Sequence, residues 1–409
     1  MSTATRAPVE QLLARSRRVE HDGDLLDLLP SADHVCSWVR EGEGLVGWGE
    51  VARVVTAGPR RAEDAQAWWD RLCAGLDVED EVRLPGSGPV AFTSIAFADE
   101  PGTSVLVVPR VVAGRRDGVT WVTEIGPTRT DAVEPVGAPR GLRYSADPVR
   151  WRAAVGAAVT RIRAGELDKV VLARDLVVEA DDAIDPRFVL SHLAARYPSC
   201  WTFAVDGMVG ATPELLVRRS GPQVSSRVLA GTTWPHDGVT EAELAAELRA
   251  STKDQGEHRY ALTSLVAALE RVCARVEVQE TEVLQLRNVA HLATTVTGDL
   301  ADATTGVLTV AAALHPTAAV GGTPTEVAVR VIAELEGMDR GRYAGPVGWV
   351  DAHGDGELGL ALRSAELAGA TARLFAGGGI VADSDPDHEL AETDAKLVPV
   401  RDALEGVEA

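Results

Sequence analysis

Two acidic pairs with one spacing, Asp254-x-x-Glu257 and Glu389-x-x-Glu392, are the first residues able to do chemistry together. On a helix, an i, i+3 separation turns both carboxylates of a pair to one face. Four converging carboxylates, with no Cys or His at ligand spacing, suit a hard divalent cation, and a site that keeps waters suits Mg²⁺. Spacing alone favours the plainer alternative, two solvated helix faces in an acidic chain. Lys169 lies in the apolar run LDKVVLAR. Burial there would disfavour its charged form and leave an amine able to act as a general base; a strand-end lysine reaching solvent is the other reading. Glu214, after Pro213 in GATPELLVR, would hold a proton for use as a general acid in an apolar setting, or face water at a strand entry.

Arg363 falls in the alternating run GELGLALRSAEL, where a buried guanidinium would seek a carboxylate to clamp. AGGGIVADSDP fits neither a dinucleotide nor a P-loop fingerprint; its glycines either offer N–H groups to an anion or form a bulge or tight turn. His291 and His315 lack metal spacing, and there is no GxSxG, HExxH or Cys/His pair for nucleophilic or zinc hydrolysis. Of 40 basic residues only Lys169, Lys253 and Lys396 are lysines. Lysine, unlike arginine, can give up its proton when desolvated, which makes each of the three worth following.

The elements that must carry these groups alternate unevenly. Residues 1–145 hold β-like runs at 45–55, 88–97, 103–114 and 118–126, interrupted by one helical stretch at 62–76. A Pro- and Gly-rich segment at 126–148 then leads to a helix opened by Asp147 and Pro148. Strands are expected at 169–180 and across 201–220, with a turn at Asp206-Gly207. A long helical pattern covers 239–275, strands return at 275–300, and the loop LHPTAAVGGTP precedes another helix. Strands at 345–351, 356–366 and 371–381 end in a helix holding DPDHELAETDAKL. Strands outnumber helices without strict alternation, so the class is α+β with mainly antiparallel sheets.

The net charge of -21 argues against nucleic acid and against an anionic membrane surface. Four scattered cysteines read as reduced thiols, and neither a signal-peptide core nor an apolar run of spanning length is present, so a cytoplasmic protein is expected.

The stretches KVVLAR, GATPELL, LAGTTWP, STKDQGEH, VAHLATTVTG, LHPTAAVGGTP, RYAGPVGWVD, GELGLALRSA and GGGIVADSDPDHELAETDAK follow one another over residues 146–406. In that order they resemble the chorismate-binding enzymes, the group containing anthranilate synthase component I, aminodeoxychorismate synthase, isochorismate synthase and salicylate synthase. The resemblance implies an aminodeoxychorismate synthase-like sandwich of two orthogonally packed sheets, with residues 146–406 as the catalytic region and 1–145 as a sheet-rich part of the same fold. It implies Mg²⁺ held by Glu257 and Glu392 directly and by Asp254 and Glu389 through water. Arg363, Tyr343 and the Gly379 N–H would hold the enolpyruvyl carboxylate of chorismate, Gly377 would line the site beside them, and Lys396 would add positive charge. His291 and Gly231 would line the ring. Members that add water carry a lysine at the Lys169 position and aminating members lack it, so the resemblance implies an isochorismate synthase with Lys169 as base and Glu214 as acid. Ala319, where lyase relatives carry Thr, favours stopping at isochorismate; a salicylate synthase or a non-catalytic chorismate-binding protein are the alternatives. A monomer without a glutamine amidotransferase subunit is expected, serving menaquinone or siderophore synthesis.

Overall fold

β-Branched and aromatic runs broken by Gly, Pro and Asp favour short pleated strands. In the computed structural model, which describes residues 12–127, 131–233, 239–286 and 289–407, such runs form two large sheets. Among the described residues one sheet has thirteen strands and the other ten. Their pairings are antiparallel except for Leu13–Arg18 beside Asp77–Asp80. The expected α+β class with mainly antiparallel sheets is the class found. Both sheets join early and late chain: Cys36–Arg40 pairs with Trp201–Val205 in the larger, and Val90–Ser94 with Pro346–Asp351 in the smaller.

Apolar side chains of the two sheets meet face to face. Trp38, Leu45, Trp201 and Phe203 from the larger sheet pack with Phe92, Val105, Val347 and Trp349 from the smaller. Eight α-helices lie among the described residues: α1 (Arg61–Cys73), α2 (Pro148–Arg163), α3 (Pro186–Arg196), α4 (Glu241–Ala250), α5 (Thr252–Leu269), α6 (Val307–Leu314), α7 (Thr325–Leu335) and α8 (Pro386–Glu405). Helices α3 and α8 pack on the larger sheet, while α1, α5 and α6 pack on the smaller. None is long and apolar enough to cross a membrane. Trp69 of α1 is 1% exposed and donates its indole N–H to the Asp351 carbonyl at 2.9 Å. Trp69→Ala should cost about 3–5 kcal/mol, read as a lower urea midpoint at unchanged slope.

Local signals placed several elements where expected. Asp147 accepts from the Arg150 N–H to cap α2, and Asp206 and Gly207, with φ of 50° and 83°, form the expected turn. Several expectations need correction. The runs at 45–55 and 103–114 each divide into two strands in different sheets, Glu43–Trp48 and Ala52–Ala57, and Thr103–Val108 and Val111–Arg116. The helical pattern over 239–275 breaks at Ser251, which ends α4 in extended conformation and whose hydroxyl caps α5 by accepting from Asp254 N. The run at 356–366 is two strands, Gly356–Leu360 in the smaller sheet and Ser364–Ala368 in the larger. Arg363 stands at the crossing with φ of 49°, outside any strand, because the chain there steps from one sheet to the other.

Candidate active site

Strand pairing over a long separation builds the floor. Lys169–Glu179 runs antiparallel to Thr371–Ile380, setting Val171 opposite Gly379 and Ala173 opposite Gly377. The three glycines therefore lie within a strand, not in a turn, and each leaves room for a functional side chain. A Cβ on Gly377 would come 3.3 Å from the Tyr343 hydroxyl, one on Gly378 would come 3.0 Å from Glu389 Oε2, and one on Gly379 would come 2.7 Å from Lys169 Cε. The helices are pinned to this floor. Arg174 Nε donates to Thr393 Oγ1 at 2.8 Å, fixing α8, and Asp385 caps that helix by accepting from the Asp387 and His388 N–H groups. Buried His258 bonds Ala230 O at 3.1 Å and Thr294 Oγ1 at 2.7 Å, fixing α5 against the smaller sheet.

These elements enclose a cavity of about 680 Å³, within the usual range for a small-molecule site. Its lining includes Lys169, Glu214, Asp254, Glu257, His291, Ala319, Tyr343, Arg363, Gly377, Gly379, Glu389, Glu392 and Lys396. Gly231 alone of the expected set is not in the lining. Its φ is +77°, and a Cβ there would meet the Asp254 carbonyl at 2.9 Å, so this glycine admits α5 rather than a ligand. All three lysines of the chain reach the cavity, Lys253 at an exposed position near the mouth. In a protein of net charge -21 they bring cations able to meet an anion into a lining that also holds carboxylates.

Electrostatics separates the groups by task. Glu214 is 9% exposed, and burial pushes its carboxyl up to about 8 against the opposing charge of Lys169. It is a carboxylic acid, not a carboxylate, at neutral pH. Burial, reinforced by Arg363 and Lys396, holds His291 down at about 3, leaving a neutral ring that bonds the Gly231 backbone. Tyr343 is 4% exposed, is pushed up to about 12 by burial, and stacks on Phe375 with centroids 5.0 Å apart. Arg363 makes no ion pair among the described residues, and burial lowers its affinity for its proton. An unpaired guanidinium in such a place calls for an anionic ligand.

The four acidic groups line one cavity but are held apart. Glu257 Oε1 accepts from Lys169 Nζ at 2.5 Å, and Glu392 Oε1 from Lys396 Nζ at 2.6 Å. Glu389 Oε1 accepts from the Ser384 hydroxyl at 2.8 Å, and Asp254 from the Ser251 hydroxyl. Among the described residues no three Asp, Glu, His or Cys side chains are gathered closely enough to hold a metal ion. The donor set still fits a hard cation: every donor is a carboxylate oxygen, and burial, with a smaller contribution from the charge of Glu392, raises Glu389. Burial acts on Glu257 in the same direction, but Lys169, with Lys253 and Lys396, holds it below the ordinary range.

Lysine count and motif order lead to nearly all of this lining. The Lys169–Glu257 ion pair, across 88 residues, is not visible in the sequence, nor are Arg340, Phe375 and Tyr260 of the lining.

A profile of the chorismate-binding enzymes matches residues 127–405. A Mycobacterium tuberculosis protein assigned as the isochorismate synthase MenF is 37% identical over 368 residues, covering 86% of this chain and 95% of its own length. The isochorismate synthase DhbC of Bacillus subtilis is 36% identical over 324 residues, covering 76% of this chain and 79% of its own. The solved menaquinone-specific isochorismate synthase MenF of Escherichia coli shares the fold, with a TM-score of 0.80 at 24% identity over 96% of this chain and 94% of that one.

Proposed function

The chain belongs to the chorismate-binding enzymes, and from that premise we infer that it is an isochorismate synthase, a cytoplasmic isomerase that adds water at ring C2 of chorismate and removes the C4 hydroxyl. The observation that carries this reading is the pair Glu214 and Lys169 in one cavity, a buried carboxyl pushed up to about 8 and a lysine close enough that its charge acts on that carboxyl.

Each residue then has a task. Arg363 takes the enolpyruvyl carboxylate, the partner its half-buried guanidinium lacks among the described residues, with the Tyr343 hydroxyl and the Gly379 N–H beside it. Gly377 keeps space for Tyr343, Lys396 adds positive charge, and neutral His291 lines the ring without repelling Arg363. Lys169 in its amine form accepts a proton from the water that bonds C2. The two ring double bonds shift, the C4–O bond breaks, and Glu214 delivers its proton to the leaving oxygen, so water enters and water leaves. Paired transfer avoids free hydroxide. Ala319 brings no hydroxyl to its own place in the lining, in keeping with a reaction that stops at isochorismate. Glu257 and Glu392, with Asp254 and Glu389, would hold Mg²⁺, which when bound would neutralise a substrate carboxylate and compete with Lys169 for Glu257. The product is the one made by the menaquinone-type and DhbC-type relatives alike.

Purified protein given chorismate and Mg²⁺ without ammonium should accumulate isochorismate by NMR to a partial equilibrium, with no stoichiometric pyruvate. EDTA should abolish turnover and added Mg²⁺ restore it. Salicylate and pyruvate rising together would make the protein a lyase, and chorismate bound but unchanged would sink the catalytic reading.

A further inference from the structure

The strand carrying Lys169 is unevenly supported. One edge pairs with Thr371–Ile380 from Val170 to Glu179. Its other edge meets Gly322–Thr323 at one end, opposite Lys169 and Val170, where Val171 N also donates to Gly321 O at 2.8 Å, and Arg143–Ala146 at the other, opposite Leu176 to Glu179. Between them the backbone needs a partner, since buried N–H and C=O groups are seldom left unmade. Side chains provide it. Ala173 N donates to Glu336 Oε1 at 2.7 Å, and Val171 O accepts from Arg340 Nη2 at 2.7 Å. Arg340 Nε also donates to Glu336 Oε2 at 2.9 Å, and Nη1 to Val320 O at 3.0 Å. The pair is 1% and 4% exposed, and Phe97 covers the guanidinium at 4.1 Å.

We propose that Glu336 and Arg340 are positioning residues that act together as a surrogate strand, splicing the 315–321 loop and the Tyr343 segment onto the strand of Lys169. Arg340 is the hub. Its side chain holds the loop one residue after Ala319, and its backbone carbonyl accepts from Tyr343 N at 3.0 Å. The pair thereby sets the distance from the amine of Lys169 to the opposite walls of the cavity, while its own charges are spent on each other and on backbone. This role rests on the isochorismate synthase reading.

The arrangement has a polarity that a simple ion pair does not need: an acceptor must face Ala173 N, and a donor must face Val171 O and Val320 O. The double variant Glu336→Arg/Arg340→Glu keeps the charge balance and reverses that polarity. It should fold by circular dichroism yet lose about 10²-fold in kcat, the scale of an ångström misplacement, with KM for chorismate changed only a few-fold. Arg340→Lys, which keeps the charge but cannot bridge both carbonyls, should lose at least about tenfold in kcat. Restoration of kcat to within threefold in the reversed pair would overturn the proposal. So would variants that melt earlier yet keep native kcat and KM per folded molecule. Hydrogen exchange separates this failure from failure of the functional reading: in Glu336→Leu, which has no acceptor, and Arg340→Lys, exchange at Ala173 should quicken relative to Gly377, whether or not the native protein turns over chorismate. Unchanged exchange at Ala173 would remove the surrogate strand.

Discussion

Glu214→Gln should bind chorismate with near-native affinity and form isochorismate about 10²- to 10⁴-fold more slowly, the range for losing one positioned proton donor. Glutamine keeps the shape of the protonated acid and its hydrogen-bonding atoms but has no proton to give, so loss of kcat without loss of binding isolates the transfer. Calorimetric titration with chorismate beside steady-state rates makes the comparison. The pH profile gives a second signature. Because burial raises the carboxyl to about 8, the active protonated form is present below that pH and is lost as pH rises through it, giving kcat/KM a basic limb near 8. The same shift appears in stability. The folded state holds the Glu214 proton more tightly than the unfolded chain, so its contribution is complete below the ordinary value of 4.5 and is lost as pH rises through about 8. Glu214→Gln should flatten that part of the stability curve. A native basic limb that persists unchanged in the residual activity of Glu214→Gln would assign the limb to another group.

Much of this site is legible before any coordinates, for a physical reason: its chemistry is concentrated in residue types used sparingly. Three lysines in 409 residues all converge on one cavity, and glycines at Gly377, Gly378 and Gly379 mark the backbone that functional side chains approach. Caps and turns are also local, which is why Asp147 and Asp206-Gly207 read correctly. Features requiring tertiary partners are not. Leu13–Arg18 reads as a polar arginine-rich segment, and only pairing with Asp77–Asp80 and Val119–Ile125 makes it a strand. The break at Ser251 hides inside a continuous helical periodicity, and Arg363 leaves its apparent strand because the chain changes sheets. The Glu336–Arg340 pair shows its i, i+4 spacing, but nothing in spacing shows that it completes the edge of a strand more than 160 residues earlier.

The Lys169 ion pair sharpens the other large effect. A lysine bonded to Glu257 at 2.5 Å has two possible contributions, holding a carboxylate in place or supplying the base, and replacement by alanine removes both. Lys169→Arg separates them. Arginine preserves the positive charge and a hydrogen bond to Glu257, yet stays protonated at any working pH and cannot take a proton from water. If Lys169 is the base, Lys169→Arg and Lys169→Ala should be equally impaired, each by more than about 10²-fold in kcat, while both still bind chorismate. If the lysine serves only to place Glu257, Lys169→Arg should retain most of the native rate and Lys169→Ala should not. The Glu257 carboxyl, held below its ordinary range largely by Lys169, should move upward in Lys169→Ala, and ¹³C-carboxyl NMR titration of that variant checks this independently of turnover. A base that spends the resting state paired to a carboxylate is reconciled with catalysis only if Glu257 finds another cation when substrate is bound. The activity of Lys169→Arg is the measurement that decides whether the amine or the ion pair is what the reaction uses.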